Sequence, residues 1–128
     1  MTPSVSSERH NGITVVTLNR PDVRNAVDAD TARALHAAFL AFDDDPASHV
    51  AVFHGANGHF CAGWDLQSGA RLHAQGVRGD ALTHLQWPAD VPDPPGPMGP
   101  SRLLRSKPVI TAVSPTPPPA PRTARVSP

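Results

Sequence analysis

The chain has 128 residues, enough for one small domain. Its 11 acidic and 11 basic side chains balance, so no net field steers it toward nucleic acid or an anionic membrane surface. The single cysteine, Cys61, excludes an internal disulfide and fits a reducing cytosol, and no apolar run approaches the ~20 residues of a membrane helix.

The first residues, Met1-Thr2-Pro3-Ser4, lack the basic start and apolar core of a secretory signal, so a cytoplasmic protein is expected. Val5 to Arg9 and Ile13 to Leu18 are β-prone runs separated by His10-Asn11-Gly12, and Asn-Gly between such runs predicts a hairpin. Pro21 cannot donate to a ladder and ends the second strand, after which Asp28 offers an N-cap. Ala32, Leu35, Ala38, Phe39 and Phe42 then recur at helical spacing, predicting an amphipathic helix up to Asp43. The run Asp43-Asp44-Asp45-Pro46 reads as a solvated loop, because three acids oppose the macrodipole at a helix C-terminus. A third strand is predicted over Val50 to His54.

Strand, helix and strand in this order predict an α/β layer with a right-handed crossover and ligand contacts at the carboxyl ends of the strands. At such an end lies Phe60-Cys61-Ala62-Gly63-Trp64-Asp65-Leu66. Gly63 has no Cβ to hinder close approach, so the amides of Gly63 and Trp64 are expected to point outward together as donors able to stabilise an oxyanion. From Gly69 to Gly79 apolar residues are few, and Pro88 to Pro100 holds six prolines. This region is expected to be a long loop with a short helix near Ala81 to Gln86. After Ser114 a Pro-rich polar tail, residues 114–128, is expected to be disordered. The histidines His10, His36, His49, His54, His59, His73 and His84 form no His-x-x-x-His pair with a carboxylate partner, so no metal site is predicted.

Three blocks together resemble the enoyl-CoA hydratase/isomerase (crotonase) family. They are Ile13 to Pro21 followed by Arg24-Asn25-Ala26, then His59 to Leu66, then Ser106-Lys107-Pro108-Val109-Ile110-Thr111-Ala112-Val113. The resemblance implies a crotonase-like α/β fold of the ββα superhelix type, here a partial domain over residues 5–113. Since the family's catalytic core is roughly twice this length, the chain reads as a truncated, N-terminal half. The implied substrate is an acyl-CoA thioester, with coenzyme A arriving as part of the substrate and no separate cofactor. The amide of Trp64 would be one of two oxyanion-hole donors, with Asp65 bracing the turn and the Trp64 side chain lining the acyl pocket. Arg24 would lie near phosphate, the backbone around Ala26 would recognise adenine, and Ala62, Gly63, Asp65 and Leu66 would complete the binding set. Family members commonly assemble as trimers or dimers of trimers.

The sequence departs from this pattern after Val113. Where the family continues with Gly-Tyr-Ala, a Gly-rich turn and a helix bearing a catalytic glutamate, this chain reads Ser114-Pro115-Thr116-Pro117-Pro118-Pro119. The second oxyanion donor and the acid/base glutamates lie beyond that point, and Glu8 is the only glutamate here. In a GC-rich gene, Tyr-Ala codons read one base out of register give Thr-Pro, so the tail reads as an out-of-frame continuation. The expectation is a CoA-ester-binding member of the family that is inactive as this polypeptide. The competing readings are a non-catalytic CoA-ester binder or partner of full-length relatives, and an unstable product of a disrupted gene.

Overall fold

Asn11 and Gly12 take φ values of 49° and 82°, the paired left-handed geometry whose twist suits a two-residue hairpin. They join β1 (Val5–His10) to β2 (Ile13–Leu18), antiparallel from Val5 opposite Leu18 to His10 opposite Ile13, as the Asn-Gly signal predicts. The computed structural model describes residues 3–76, 96 and 98–114. The helix expected near Ala81 to Gln86 and the tail from Pro115 therefore lie outside the described residues.

Parallel strands need a crossover, and α1 (Ala29–Asp44) supplies it between β2 and β3 (Val50–Gly55). β4 (Val109–Ala112) adds parallel to β3, giving the sheet order β1-β2-β3-β4. A layer of apolar side chains forms where α1 lies on this sheet. Leu35, Phe39 and Phe42 of α1 pack there with Val16 and Leu18 of β2 and Ala51 of β3, all buried. Each large side chain so placed contributes about 2 kcal/mol. The predicted apolar face is the buried one, with Ala38 partly covered at its edge. Phe53 extends it toward the carboxyl end of β3, meeting Phe39 and Phe60 edge-to-face at 5.2 Å each. Among the described residues no helix is long and apolar enough to cross a membrane.

Two expectations need correction. Asp43 and Asp44 belong to the last turn of α1, not to a loop. Their unfavourable position is offset by groups from far along the chain: Asp43 accepts from the amides of Ser106 and Lys107, and Lys107 Nζ donates to the Phe42 and Asp45 carbonyls. A cation at the negative end of the helix is where the macrodipole favours one.

The stretch after Leu66, expected to be loop from Gly69, opens with α2 (Leu66–Ala74). Asp65 caps it, its Oδ1 accepting from the amides of Gln67 and Ser68 at 3.1 Å each, and Arg71 and His73 occupy the last turn. Cap and terminal charges stabilise this solvated helix without the apolar stripe on which the expectation rested.

Candidate functional site

The turn that leaves β3 is held against the segment that leaves β2, and the side chain of Asn25 makes much of that connection. Asn25 is buried, with a left-handed φ of 59°. Its Oδ1 accepts from the Arg20 amide at 2.7 Å, while Nδ2 donates to the carbonyls of Ala56 at 2.9 Å and His59 at 2.7 Å. Gly55 permits this approach, since a Cβ there would overlap the carbonyl oxygens of His59 and Phe60. Beyond it, residues 24–27 and 62–65 run alongside each other. The Ala62 amide donates to Arg24 O, the Val27 amide to Gly63 O and the Asp65 amide to Val27 O, at 2.8–3.1 Å.

This ladder uses the Ala62 and Asp65 amides of the turn. The Gly63 N–H donates to Cys61 Sγ at 3.4 Å, so the expected outward pair of donors is reduced to one. Gly63 has φ 102°, a conformation that costs an L-residue. The Trp64 N–H has no acceptor among the described residues. A backbone amide left free beside a cleft is a donor ready for a ligand.

Asp65 braces the turn, as expected, and does so with Arg20, which the sequence reading passed over. The Asp65 side chain is 7% exposed, and its Oδ2 lies 3.3 Å from both Nη1 and Nη2 of Arg20. The same guanidinium meets Asp28 Oδ2 at 3.2 Å and donates to the Ala26 carbonyl. One arginine thus ties the end of β2 to the N-caps of both helices. The Ser68 amide holds the Asp65 carboxyl below its ordinary 3.8, outweighing burial, and Arg20 lowers it further. At Asp28 burial opposes ionisation, but the Thr31 hydrogen bonds and Arg20 together still lower its pKa. Both carboxylates are structural anions, unsuited to act as bases near neutrality. The only sequence signal for Arg20 was a charged residue fixed just before a proline; its partner stands 45 positions later.

A cleft of about 480 Å³ opens beside this brace, lined by Arg24, Ala26, Ala62, Trp64, Asp65 and Leu66. Six of the seven sequence-predicted site residues therefore meet in one place, and Gly63 lies in the turn between them. Arg24 is exposed at its rim, and Leu66 is 79% exposed. The Trp64 ring lies over α2, where a Cβ at Gly69 would come within 3.2 Å of its Nε1. Arg24 and Ala62 also line a neighbouring recess of about 280 Å³ with His59, Phe60 and Cys61, closed by Val113 and Ser114 beyond β4. The third sequence block thus reaches the same turn. Among the described residues no three His, Cys, Asp or Glu side chains come together as metal ligands.

Comparison with known proteins bears on this geometry. Residues 8–93 match the enoyl-CoA hydratase/isomerase family. Mevalonyl-coenzyme A hydratase of Aspergillus fumigatus is 34% identical over 80% of this chain and 34% of its own length. Enoyl-CoA hydratase EchA19 of Mycobacterium tuberculosis is 34% identical over 87% of this chain and 39% of its own. Carnitinyl-CoA dehydratase of Salmonella arizonae is 44% identical over 58% of this chain and 28% of its own. Among solved structures, enoyl-CoA hydratase EchA1 from Mycobacterium marinum superposes with a TM-score of 0.68 at 34% identity, covering 88% of this chain and 38% of that one. Carnitinyl-CoA hydratase from Mycobacterium avium gives 0.65 at 28% identity, covering 88% and 39%. The chain spans about a third of the length of these relatives, a smaller share than the half expected from sequence. The fold is the crotonase fold, and the family match spans the first two of the blocks that meet at the turn after β3; this chain belongs to the enoyl-CoA hydratase/isomerase family.

Proposed function

We propose that this chain binds an acyl-CoA thioester at the turn after β3, with the Trp64 N–H donating to the thioester carbonyl. The observation that carries this reading is the free Trp64 amide beside a cleft that also gathers Arg24, Ala26, Ala62 and Asp65. An unpaired backbone donor in a fixed loop needs no reorganisation to meet a polarised carbonyl. Arg24 at the rim offers a planar fork to phosphate, and Ala26 presents backbone for the nucleotide end. Coenzyme A enters as part of the substrate, and the lone cysteine fits a cytoplasmic setting.

We assign no turnover to these 128 residues acting alone. Their single glutamate, Glu8, is exposed on β1 and pairs with His10 at 3.2 Å, Asp28 and Asp65 are committed to Arg20 and helix caps, and Asp22 at the cleft is exposed to solvent. One donor without its partner or an acid/base pair polarises a carbonyl but moves no proton.

The test is titration with crotonyl-CoA and with free CoA, followed by calorimetry. Wild type is expected to bind the thioester roughly tenfold more tightly than CoA, a part of the full donor effect on a developing oxyanion. Trp64→Pro removes the N–H and should abolish that difference, whereas Trp64→Phe should retain it. Equal affinity for the two ligands in wild type refutes the assignment, and hydration of crotonyl-CoA by the purified chain refutes the lack of turnover.

A further inference from the structure

Behind the turn lies a second kind of cavity, apolar and of about 210 Å³. Val27, Leu35, Phe53, Phe60 and Met98 form its walls, and Arg105 supplies the only charged group among its lining residues. At about 30 Å³ per water-sized group, it holds roughly seven such groups. Phe60 and Cys61 belong both to this cavity and to the recess that shares Arg24 and Ala62 with the Trp64 cleft. The three spaces are therefore neighbours along the turn, with Phe60 and Cys61 between the apolar cavity and the recess.

Arg105 is exposed and has no carboxylate partner among the described residues; its guanidinium stands over the Phe39 ring with Cζ 5.8 Å from the centroid. Stacking on an aromatic face restricts the fork while leaving its donor edges free for a planar anion. An apolar slot with one such cation selects a ligand that is hydrocarbon along its length and negatively charged at its tip. We infer that Arg105 is a specificity-determining residue, and that the preferred acyl group is short and ends in a carboxylate. This inference rests on the acyl-CoA reading above. It also implies discrimination against a cationic tail, since a quaternary ammonium would meet the guanidinium at the mouth of a largely apolar slot.

Three CoA thioesters of matched length test it: glutaryl-CoA, pentanoyl-CoA and 4-(trimethylammonio)butanoyl-CoA, titrated against the full chain at low salt. Glutaryl-CoA is expected to bind roughly fivefold more tightly than pentanoyl-CoA, as suits one ion pair at a rim, with the cationic thioester weakest. Arg105→Gln should bring glutaryl-CoA and pentanoyl-CoA to equal affinity, and circular dichroism matching wild type shows that the variant is folded. Arg105→Lys should keep part of the preference. If wild type binds both thioesters more tightly than free CoA but does not distinguish glutaryl from pentanoyl, the role of Arg105 is overturned and the acyl-CoA reading stands. If neither thioester exceeds free CoA, both fall together.

Discussion

The ion pair between Arg20 and Asp65 can be isolated by a double-mutant cycle. Asp65→Asn keeps an oxygen to cap α2 but removes the charge facing Arg20, while Arg20→Gln removes the fork that also reaches Asp28 and Ala26. With side-chain exposures of 19% for Arg20 and 7% for Asp65, the pair is mostly desolvated, so removing one partner leaves the other charge poorly compensated. Arg20→Gln is expected to cost about 3 kcal/mol. Asp65→Asn should cost about 2 kcal/mol, because Arg20 retains Asp28 and asparagine caps nearly as well as aspartate. The double variant should lose little more than Arg20→Gln alone, giving a coupling energy of about 2 kcal/mol. The assay is equilibrium urea unfolding followed by tryptophan fluorescence. With a slope of about 1 kcal/mol per molar urea, Asp65→Asn lowers the midpoint by about 2 M. A coupling energy under about 0.5 kcal/mol would refute the reasoning and leave Asp65 only as a helix cap.

Acid should act through the same carboxylates. Asp28 and Asp65 are both held below 3.8 in the folded chain, so each contributes stability that is fully present above that value and is lost as pH falls below it through the folded pKa values. The urea midpoint measured from pH 6 to pH 2 should fall at the acid end, and Asp65→Asn should flatten that fall; an unchanged slope in the variant would contradict the brace. Asn25→Ala should cost about 3 kcal/mol or more, because it strands the Arg20 amide and the Ala56 and His59 carbonyls and removes a residue suited to a left-handed φ. Circular dichroism melting reads this directly, and a loss below about 1 kcal/mol would mean that water replaces the side chain without penalty.

The sequence by itself determined the elements whose signals are local. Asn11-Gly12 specifies the hairpin because two consecutive residues must tolerate positive φ, and the apolar residues from Ala32 to Phe42 specify α1 because burial on one face needs helical spacing. The first two blocks that resemble the family contain Arg24, Ala26, Ala62, Trp64, Asp65 and Leu66, and those residues line one cleft. Only the tertiary structure decided which amide of the turn is free. Cys61 Sγ takes the Gly63 N–H, and that outcome depends on the local path of the turn, which composition does not encode. It likewise decided that α2 forms and that α1 runs through Asp44. The apolar content of Gly69 onward argued against the first, and the acidic run against the second. Both helices are stabilised by groups that a window of sequence does not contain: Arg20 reaching Asp65, and Lys107 and Ser106 reaching the end of α1. Helix periodicity and turn chemistry are short-range properties of the chain. Ion pairs, caps and free donors depend on which distant residues the sheet brings together, and for this protein those are the interactions that shape the site.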